Sequence, residues 1–309
     1  MPEPLPRVAV LLSTYNGERY LGAQLDSLAA QTDVVCEVFV RDDGSTDATL
    51  ALLSRYADRW PQLAGPLTGA NLGPAFSFLA CLACAPTDFD HYAFCDQDDV
   101  WLPEKLFRSA EGLARVPPDE PALYCSQVTC VDESLKPMGE PFADSDGRFE
   151  HVLFQNIAYG VTTVMNRAAR DLIVSQRPQG GVIMHDWWCA LVVAAFGTVI
   201  YDPQPSVLYR QHAGNVIGAR ADRLQEVLRQ LRVLWRDPSN YWPIHAQARE
   251  LQRCFGERLT EPRQRILGDL VASKTTVLRR LWFGLTGEVV RAGRFGWITA
   301  RVLIMLGLY

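Results

Sequence analysis

The chain has 309 residues, 48% of them hydrophobic and 21% charged, with a formal net charge of -5 at pH 7. That length allows one large α/β domain with an appendage or two modest domains, and the acidic balance argues against a general nucleic-acid binder. The order of predicted elements narrows this further.

Val8 to Ser13 is an apolar run that ends in the polar Thr14-Tyr15-Asn16-Gly17, and Glu18 to Ala30 carries Leu21, Leu25 and Leu28 at helical spacing. Val34 to Val40 reads as a second strand, followed by Arg41-Asp42-Asp43-Gly44-Ser45 and an amphipathic helix over Thr46 to Tyr56. A weak strand near Leu63 to Leu67 leads to Gly69-Ala70-Asn71-Leu72-Gly73 and then to a helix over Ala75 to Cys84. His91 to Cys95 is the fourth strand. Strands alternating with helices of this length predict a doubly wound parallel sheet, whose ligands bind beyond the carboxyl ends of the strands. The polar loops after strands one, two and four fall at that edge. Further on, Leu123 to Val131 and Val161 to Asn166 read as strands, Arg167 to Ser175 as a short helix, and His185 to Phe196 as a strongly apolar helix. Val199 to Tyr201 and Val207 to Tyr209 are short strands, and from Arg220 onward the pattern is helical, so a boundary is expected near Gly214 to Ala221.

The acidic run Asp96-Gln97-Asp98-Asp99 follows the fourth strand directly. Crowded carboxylates repel unless something positive sits among them, and a divalent cation with oxygen ligands is the usual remedy. A metal–diphosphate site is one reading; an acidic turn whose last Asp caps a helix is the other. The eight cysteines are scattered, and Cys36, Cys95, Cys125 and Cys189 lie in apolar contexts, as buried thiols of a reducing compartment do. Cys81 and Cys84 have CxxC spacing without a second ligand pair nearby, which favours core packing over zinc or redox chemistry. The proline-rich Met1 to Arg7 and the short apolar run behind it do not form a signal peptide, and no apolar stretch of about 20 residues could span a bilayer. A cytoplasmic catalytic part is expected.

Taken together, Ser13-Thr14-Tyr15-Asn16-Gly17-Glu18, Arg41-Asp42-Asp43-Gly44-Ser45-Thr46-Asp47, Asn71-Leu72-Gly73, Asp96-Gln97-Asp98-Asp99-Val100-Trp101, His185-Asp186-Trp187-Trp188 and Tyr209-Arg210-Gln211-His212 carry a resemblance. In order and spacing they resemble family 2 glycosyltransferases of the GT-A fold, closest to the bacterial rhamnosyltransferase branch, over residues 7 to 218. The resemblance implies an α/β, Rossmann-like mixed sheet flanked by helices, a catalytic domain over 1–218 and a helical C-terminal extension over 219–309. It implies a nucleotide-sugar donor (dTDP- or UDP-linked), with Thr14, Tyr15 and Asn16 at the base, Glu18, Asn71 and Gln97 in the donor set, and Asp42 or Asp43 accepting from the base imide. Asp96 would hold the ribose, Asp98 and His212 a Mg²⁺ or Mn²⁺ ion, and Arg210 the diphosphate. Asp99 remains open between this site and a helix N-cap. Asp186 is the candidate general base for inverting transfer, with a plain N-cap as its structural alternative, and Trp187 and Trp188 form either an acceptor wall or core.

The tail is basic. Arg263, Arg265, Lys274, Arg279, Arg280, Arg291, Arg294 and Arg301 stand against Asp269 and Glu288, interleaved with Trp282, Phe283, Trp297 and Ile298. Such a segment suits a membrane interface, and a helical cap on the catalytic domain or on a second subunit is the competing reading. The expected activity is inverting, metal-dependent transfer of a sugar to a hydroxyl of a lipid-linked glycan during cell-surface polysaccharide synthesis. The donor would be dTDP-L-rhamnose, and the enzyme would lie on the inner face of the plasma membrane. A catalytically silent nucleotide-sugar-binding or scaffolding subunit is the alternative from another class.

Overall fold

Val8 to Leu12 are all fully buried and alternate between two faces of one sheet. Ala9 and Leu11 join one hydrophobic core, while Val8, Val10 and Leu12 join another. A strand buried on both faces reads as a continuous apolar run, and this one lies at the centre of the fold. The computed structural model describes residues 4–139, 146–212, 244–291 and 296–307.

The central strand is β1 (Arg7–Thr14), followed by α1 (Leu21–Ala29), β2 (Val35–Asp42), α2 (Thr49–Ala57), β3 (Leu63–Thr68), α3 (Gly73–Cys84) and β4 (His91–Cys95). Then come β5 (Val100–Trp101), α4 (Lys105–Leu113), β6 (Ala122–Ser126), β7 (Thr129–Val131), β8 (Pro137–Gly139), α5 (Phe149–Val152), β9 (Val164–Asn166) and α6 (Arg167–Val174). The part up to residue 212 ends with α7 (His185–Phe196), β10 (Thr198–Asp202) and β11 (Val207–Arg210). Among the described residues four more α-helices follow: α8 (Ile244–Phe255), α9 (Glu261–Ser273), α10 (Val277–Thr286) and α11 (Gly296–Leu306). The boundary expected near Gly214 to Ala221 lies outside the described residues.

The main sheet has seven strands in the order β10-β6-β9-β4-β1-β2-β3. β1 pairs in parallel with β2 and β4, as expected, but β9 runs antiparallel to both β4 and β6. The sheet is therefore mixed, not wholly parallel. β9 is only three residues long and leads straight into α6, where Asn166 caps by accepting from the Ala169 amide at 2.9 Å. The single strand expected over Leu123 to Val131 is split between β6 of this sheet and β7 of a second, four-stranded sheet ordered β5-β11-β7-β8. In that small sheet Leu208 lies opposite Val100, and Arg210 lies opposite Val131. It carries the residues after the acidic run to the Tyr209–His212 segment.

α7 has no polar face beyond its first turn, and a helix that is apolar all round belongs inside a core. It is packed against the sheet on one side and the C-terminal helices on the other. Ile244, Ala248, Leu251 and Phe255 of α8 form one buried stripe in the same core, with Phe255 and Phe196 ring centroids 5.6 Å apart. Phe283 of α10 reaches Phe154 at 6.4 Å, and Arg263 donates to the Ala195 carbonyl at the end of α7 at 2.8 Å.

Candidate active site

The carboxyl ends of β1, β2 and β4 open into a cavity of about 550 Å³. Its wall includes Thr14, Tyr15, Asp43, Asn71, Asp96, Gln97 and Asp98 from the first half of the chain, and Asn156, Tyr159, Gly160, Met184, His185, Asp186 and Tyr209 from the second. Donor-side and acceptor-side candidates therefore face one space, as the strand-end rule requires.

The loop after β1 is fastened from three sides. The Tyr15 amide donates to the Gln97 side-chain oxygen at 2.9 Å and the Gln97 side-chain nitrogen donates back to the Tyr15 carbonyl at 3.0 Å. A β-carbon on Gly17 would lie 2.2 Å from that same Gln97 oxygen, so a larger residue there would push the Gln97 amide out of this pairing. Asn16 takes a left-handed φ of 49°, and its side-chain oxygen accepts from the Thr46 amide at 2.8 Å. The Glu18 carboxylate accepts from the Ala48 amide at 2.8 Å. Asn16 and Glu18 thus brace the loop that opens α2 and do not form part of the cavity wall.

The two aspartates at the end of β2 are distinct. Asp42 accepts from the Thr14 hydroxyl at 2.9 Å, the Gly44 and Ser45 amides at 3.1 and 2.8 Å, and the Ser45 hydroxyl at 2.5 Å. Its lone pairs are spent on the turn. Asp43 is ion-paired to Arg41 and accepts from the Leu72 and Gly73 amides at 2.9 and 3.0 Å, which draws the Asn71 loop to the cavity. Of the two, Asp43 lines the wall.

The acidic run divides three ways. Burial, with the Asp98 and Asp186 charges, pushes the Asp96 carboxyl up to about 8. Asp98 Oδ2 lies 2.9 Å from His212 Nε2, and Arg210 Nε donates to the Asp98 carbonyl at 2.8 Å. Asp99 is not the helix cap left open by the sequence, because α4 begins after Glu104. Asp99 is fully buried, its Oδ1 accepts from the Arg210 amide at 2.8 Å, and Oδ2 has no partner among the described residues. Burial and the neighbouring carboxylates hold its pKa well above the usual range. The Arg210 guanidinium also donates to the Glu133 carbonyl at 2.6 Å, so this side chain staples the small sheet to the acidic loop.

Asp186 lies in the first turn of α7, but the N-cap is Met184. Asp186 Oδ1 accepts from the Trp187 amide at 2.6 Å and from the Asn156 side chain at 3.2 Å. Burial outweighs these donors and raises the carboxyl to about 6. His185 is stacked on Phe78 with centroids 4.0 Å apart, both ring nitrogens are without partners among the described residues, and burial pushes the imidazole down to about 3. It is neutral. A β-carbon on Gly160 would meet His185 Nε2 at 2.8 Å, so glycine lets this loop close over the start of α7. Trp187 and Trp188 are core rather than acceptor wall, and the Trp187 indole donates to the Val152 carbonyl at 2.6 Å. The aromatic surfaces on this side are Tyr159 and Tyr209, 5.9 Å apart. Sequence reading missed Asn156, Tyr159 and Gly160, whose only signal was a polar loop ahead of a short strand.

Residues 9–134 match the family model described as Glycosyl transferase family 2. The dTDP-rhamnosyl transferase RfbG of Shigella flexneri is 27% identical over 217 residues, 67% of this chain and 74% of RfbG. An uncharacterized protein of Mycobacterium tuberculosis is 29% identical over 214 residues, 68% of this chain and 60% of that protein. Among solved structures, S. aureus TarS 1-349 in complex with UDP-GlcNAc aligns at a TM-score of 0.58 and 16% identity, covering 97% of this chain and 81% of that one. The mannosyltransferase PcManGT from Pyrobaculum calidifontis, in complex with GDP-Man and Mn2+, aligns at 0.51 and 19%, covering 99% and 88%. The fold is that of the GT-A glycosyltransferases, a mixed sheet flanked by helices. Over residues 9–134 the chain is similar to the family 2 glycosyltransferases.

Proposed function

We propose that the protein is an inverting, metal-dependent glycosyltransferase that moves L-rhamnose from dTDP-L-rhamnose to a hydroxyl of a lipid-linked glycan in cell-surface polysaccharide synthesis. The observation that carries this reading is the convergence of Asp43, Asp96, Asp98 and Asp186 on one cavity, with the Asp186 carboxyl raised to about 6. A carboxyl poised near neutral pH suits a general base. The similarity to RfbG supports the donor.

In this reading Tyr15 and Asp43 receive the base, Asp96 the ribose, and the Asn71 loop the diphosphate side of the donor. Asp186 takes the proton of the acceptor hydroxyl as its oxygen bonds to the anomeric carbon. The bond from that carbon to the diphosphate breaks on the opposite face, and its electron pair leaves with dTDP. The products are dTDP and a glycoside of inverted configuration.

The donor set fits a divalent cation of the Mg²⁺ or Mn²⁺ kind. No group of three His, Cys, Asp or Glu side chains forms a closed cage among the described residues. Asp98 and His212 offer two donors side by side, and the charge crowding on Asp96 is what a cation relieves. Two protein donors suffice for a hard cation that keeps waters and takes substrate phosphates, and imidazole suits Mn²⁺ better than Mg²⁺. Bound there, the ion would neutralise the departing diphosphate.

The C-terminal helices support contact with the cytoplasmic membrane surface. Leu278, Leu281, Trp282 and Leu285 form an exposed stripe on α10, with Trp297, Ile298, Val302 and Leu306 exposed on α11. Arg279 and Arg280 lie beside the first stripe, which suits an anionic interface. No helix among the described residues is long and apolar enough to cross a membrane.

A donor panel tests the reading. With Mn²⁺ and a membrane extract as acceptor source, dTDP should be released from dTDP-L-rhamnose and not from UDP- or GDP-sugars. Calorimetry should give the same preference for binding. Release from a UDP-sugar alone would reassign the donor, and binding without release under every condition would leave a nucleotide-sugar-binding subunit.

A further inference from the structure

Tyr20 follows the Gly17 turn, whose carbonyl accepts from the Tyr20 and Leu21 amides at 3.2 and 3.1 Å, so it opens α1 from a fixed position. Three nitrogenous groups lie against its ring. The His212 imidazole centroid is 4.9 Å away with the planes 31° apart, the Arg210 guanidinium carbon is 4.6 Å from the ring centroid, and that of Arg19 is 4.9 Å away. The Tyr20 hydroxyl is buried and has no hydrogen-bond partner among the described residues. Buried tyrosine hydroxyls ordinarily find one, so the ring and not the hydroxyl makes the useful contacts here.

Two of the groups on the ring reach the acidic loop. His212 Nε2 is 2.9 Å from Asp98 Oδ2, while Arg210 donates from Nε to the Asp98 carbonyl and from its amide to Asp99 Oδ1, both at 2.8 Å. An imidazole carried past the end of a strand has two side-chain torsions to fix, and a ligating group must be held to within about 10–20° of its working direction. An aromatic face attracts guanidinium through its quadrupole, and a tilted stack limits rotation of the imidazole.

We infer that Tyr20 is a positioning residue whose ring orients His212 and Arg210 against Asp98 and so presets the two-donor cation site. The inference rests on the metal reading above. Because only the ring is used, phenylalanine serves in its place and an aliphatic side chain does not.

Binding of Mn²⁺ to the full chain, followed by electron paramagnetic resonance with dTDP and separately with UDP present, tests this. Tyr20→Phe should keep the wild-type affinity, and Tyr20→Leu should bind Mn²⁺ about 10-fold more weakly, the loss usual for a residue that orients a metal ligand. Melting temperature and metal-free dTDP binding of Tyr20→Leu should stay near wild type. Where Tyr20→Leu fails to fold, Tyr20→Met, whose unbranched chain adapts to irregular space, takes its place. In a His212→Ala background the Tyr20 substitution should cost much less than in the wild type. Equal Mn²⁺ affinity in Tyr20→Leu, equal cost in both backgrounds, or an equal loss in Tyr20→Phe would overturn the inference alone. No Mn²⁺ binding by the wild type, or undiminished binding by Asp98→Asn, would overturn the metal reading and this inference with it.

Discussion

Asp186 is a carboxyl held between opposing effects: burial raises it, and donors from the Trp187 and Gly160 amides and the Asn156 side chain pull it back to about 6. Only the ionised form accepts a proton. At saturating Mn²⁺, kcat/KM for donor should therefore rise through about pH 6 and level off above it. Asp186→Asn should lose about 10²–10⁴-fold in turnover, and its residual rate should lack that limb. A limb that persists in the variant would place the base elsewhere. Lys105 is titrated by its surroundings in a different sense. Its ammonium is fully buried, has no hydrogen-bond partner among the described residues and lies 3.6 Å from the Trp101 ring centroid. Burial lowers its pKa from 10.5 to about 7. The unfolded chain then binds the extra proton between those values, so the cost to stability is full below about pH 7 and fades as pH rises toward the unfolded value. Lys105→Met should raise the melting temperature most at pH 6 and least at pH 9–10, with a gain at pH 6 on the order of a few kcal/mol. A pH-independent difference would mean that the Lys105 charge is satisfied in the native state. Neither Lys105 nor Asp99 was legible as buried from sequence, because the contacts that bury them come from distant segments. Asp99 accepts from Arg210, and Lys105 lies near Cys36 and Cys95 as well as over the Trp101 ring.

Among the elements, α8 has a second task besides filling the core. The Gln247 side-chain oxygen accepts from the Ile183 amide at 3.1 Å, and the Glu250 carboxylate accepts from the Gln179 amide at 2.5 Å. Gly181 sits between them with φ +70°, and a β-carbon there would lie 2.6 Å from the Ala246 carbonyl. The helix thereby clamps the loop that delivers Asp186. Gln247→Ala should lower turnover about 10-fold and spare donor binding, because the donor side of the cavity is built from other elements. The check is kcat against the calorimetric dissociation constant for dTDP, and equal losses in both would mean general loosening. The alternating strands and helices through Cys95 were readable because each is long enough to show its period. The pieces that complete the site were not. β5, β7 and β9 have two or three residues each, too few for any alternation to appear, and their partners lie far away in sequence. The Trp187-Trp188 wall failed for a reason visible in the chain itself: Trp187 to Phe196 has no polar position, which marks a helix enclosed on every side.

At the scale of the whole molecule, the C-terminal helices cap the core and leave an apolar stripe exposed, where the sequence left the tail open between a membrane interface and a cap. α8 and Phe283 of α10 belong to the core that also holds α7. A chain cut near residue 221 would bare Phe196 of α7, which packs on Phe255, so its failure to fold would say nothing about membranes. Point changes on the outer stripe separate the two roles. Leu278 is 80% exposed, Trp282 54% and Leu285 68%, while Phe283 between them is buried. The backbone beneath is secured independently, since Arg301 of α11 donates to the Gly284, Leu285 and Gly287 carbonyls at 2.9, 2.7 and 2.8 Å. Polar substitution on the stripe therefore removes apolar surface from water contact without opening the core. Leu278→Glu combined with Trp282→Glu should leave the melting temperature within a few degrees of wild type and abolish flotation with vesicles containing anionic phosphatidylglycerol. It should also slow transfer to a membrane-borne acceptor while leaving dTDP binding intact. Undiminished flotation of this variant would remove the α10 stripe as the membrane contact.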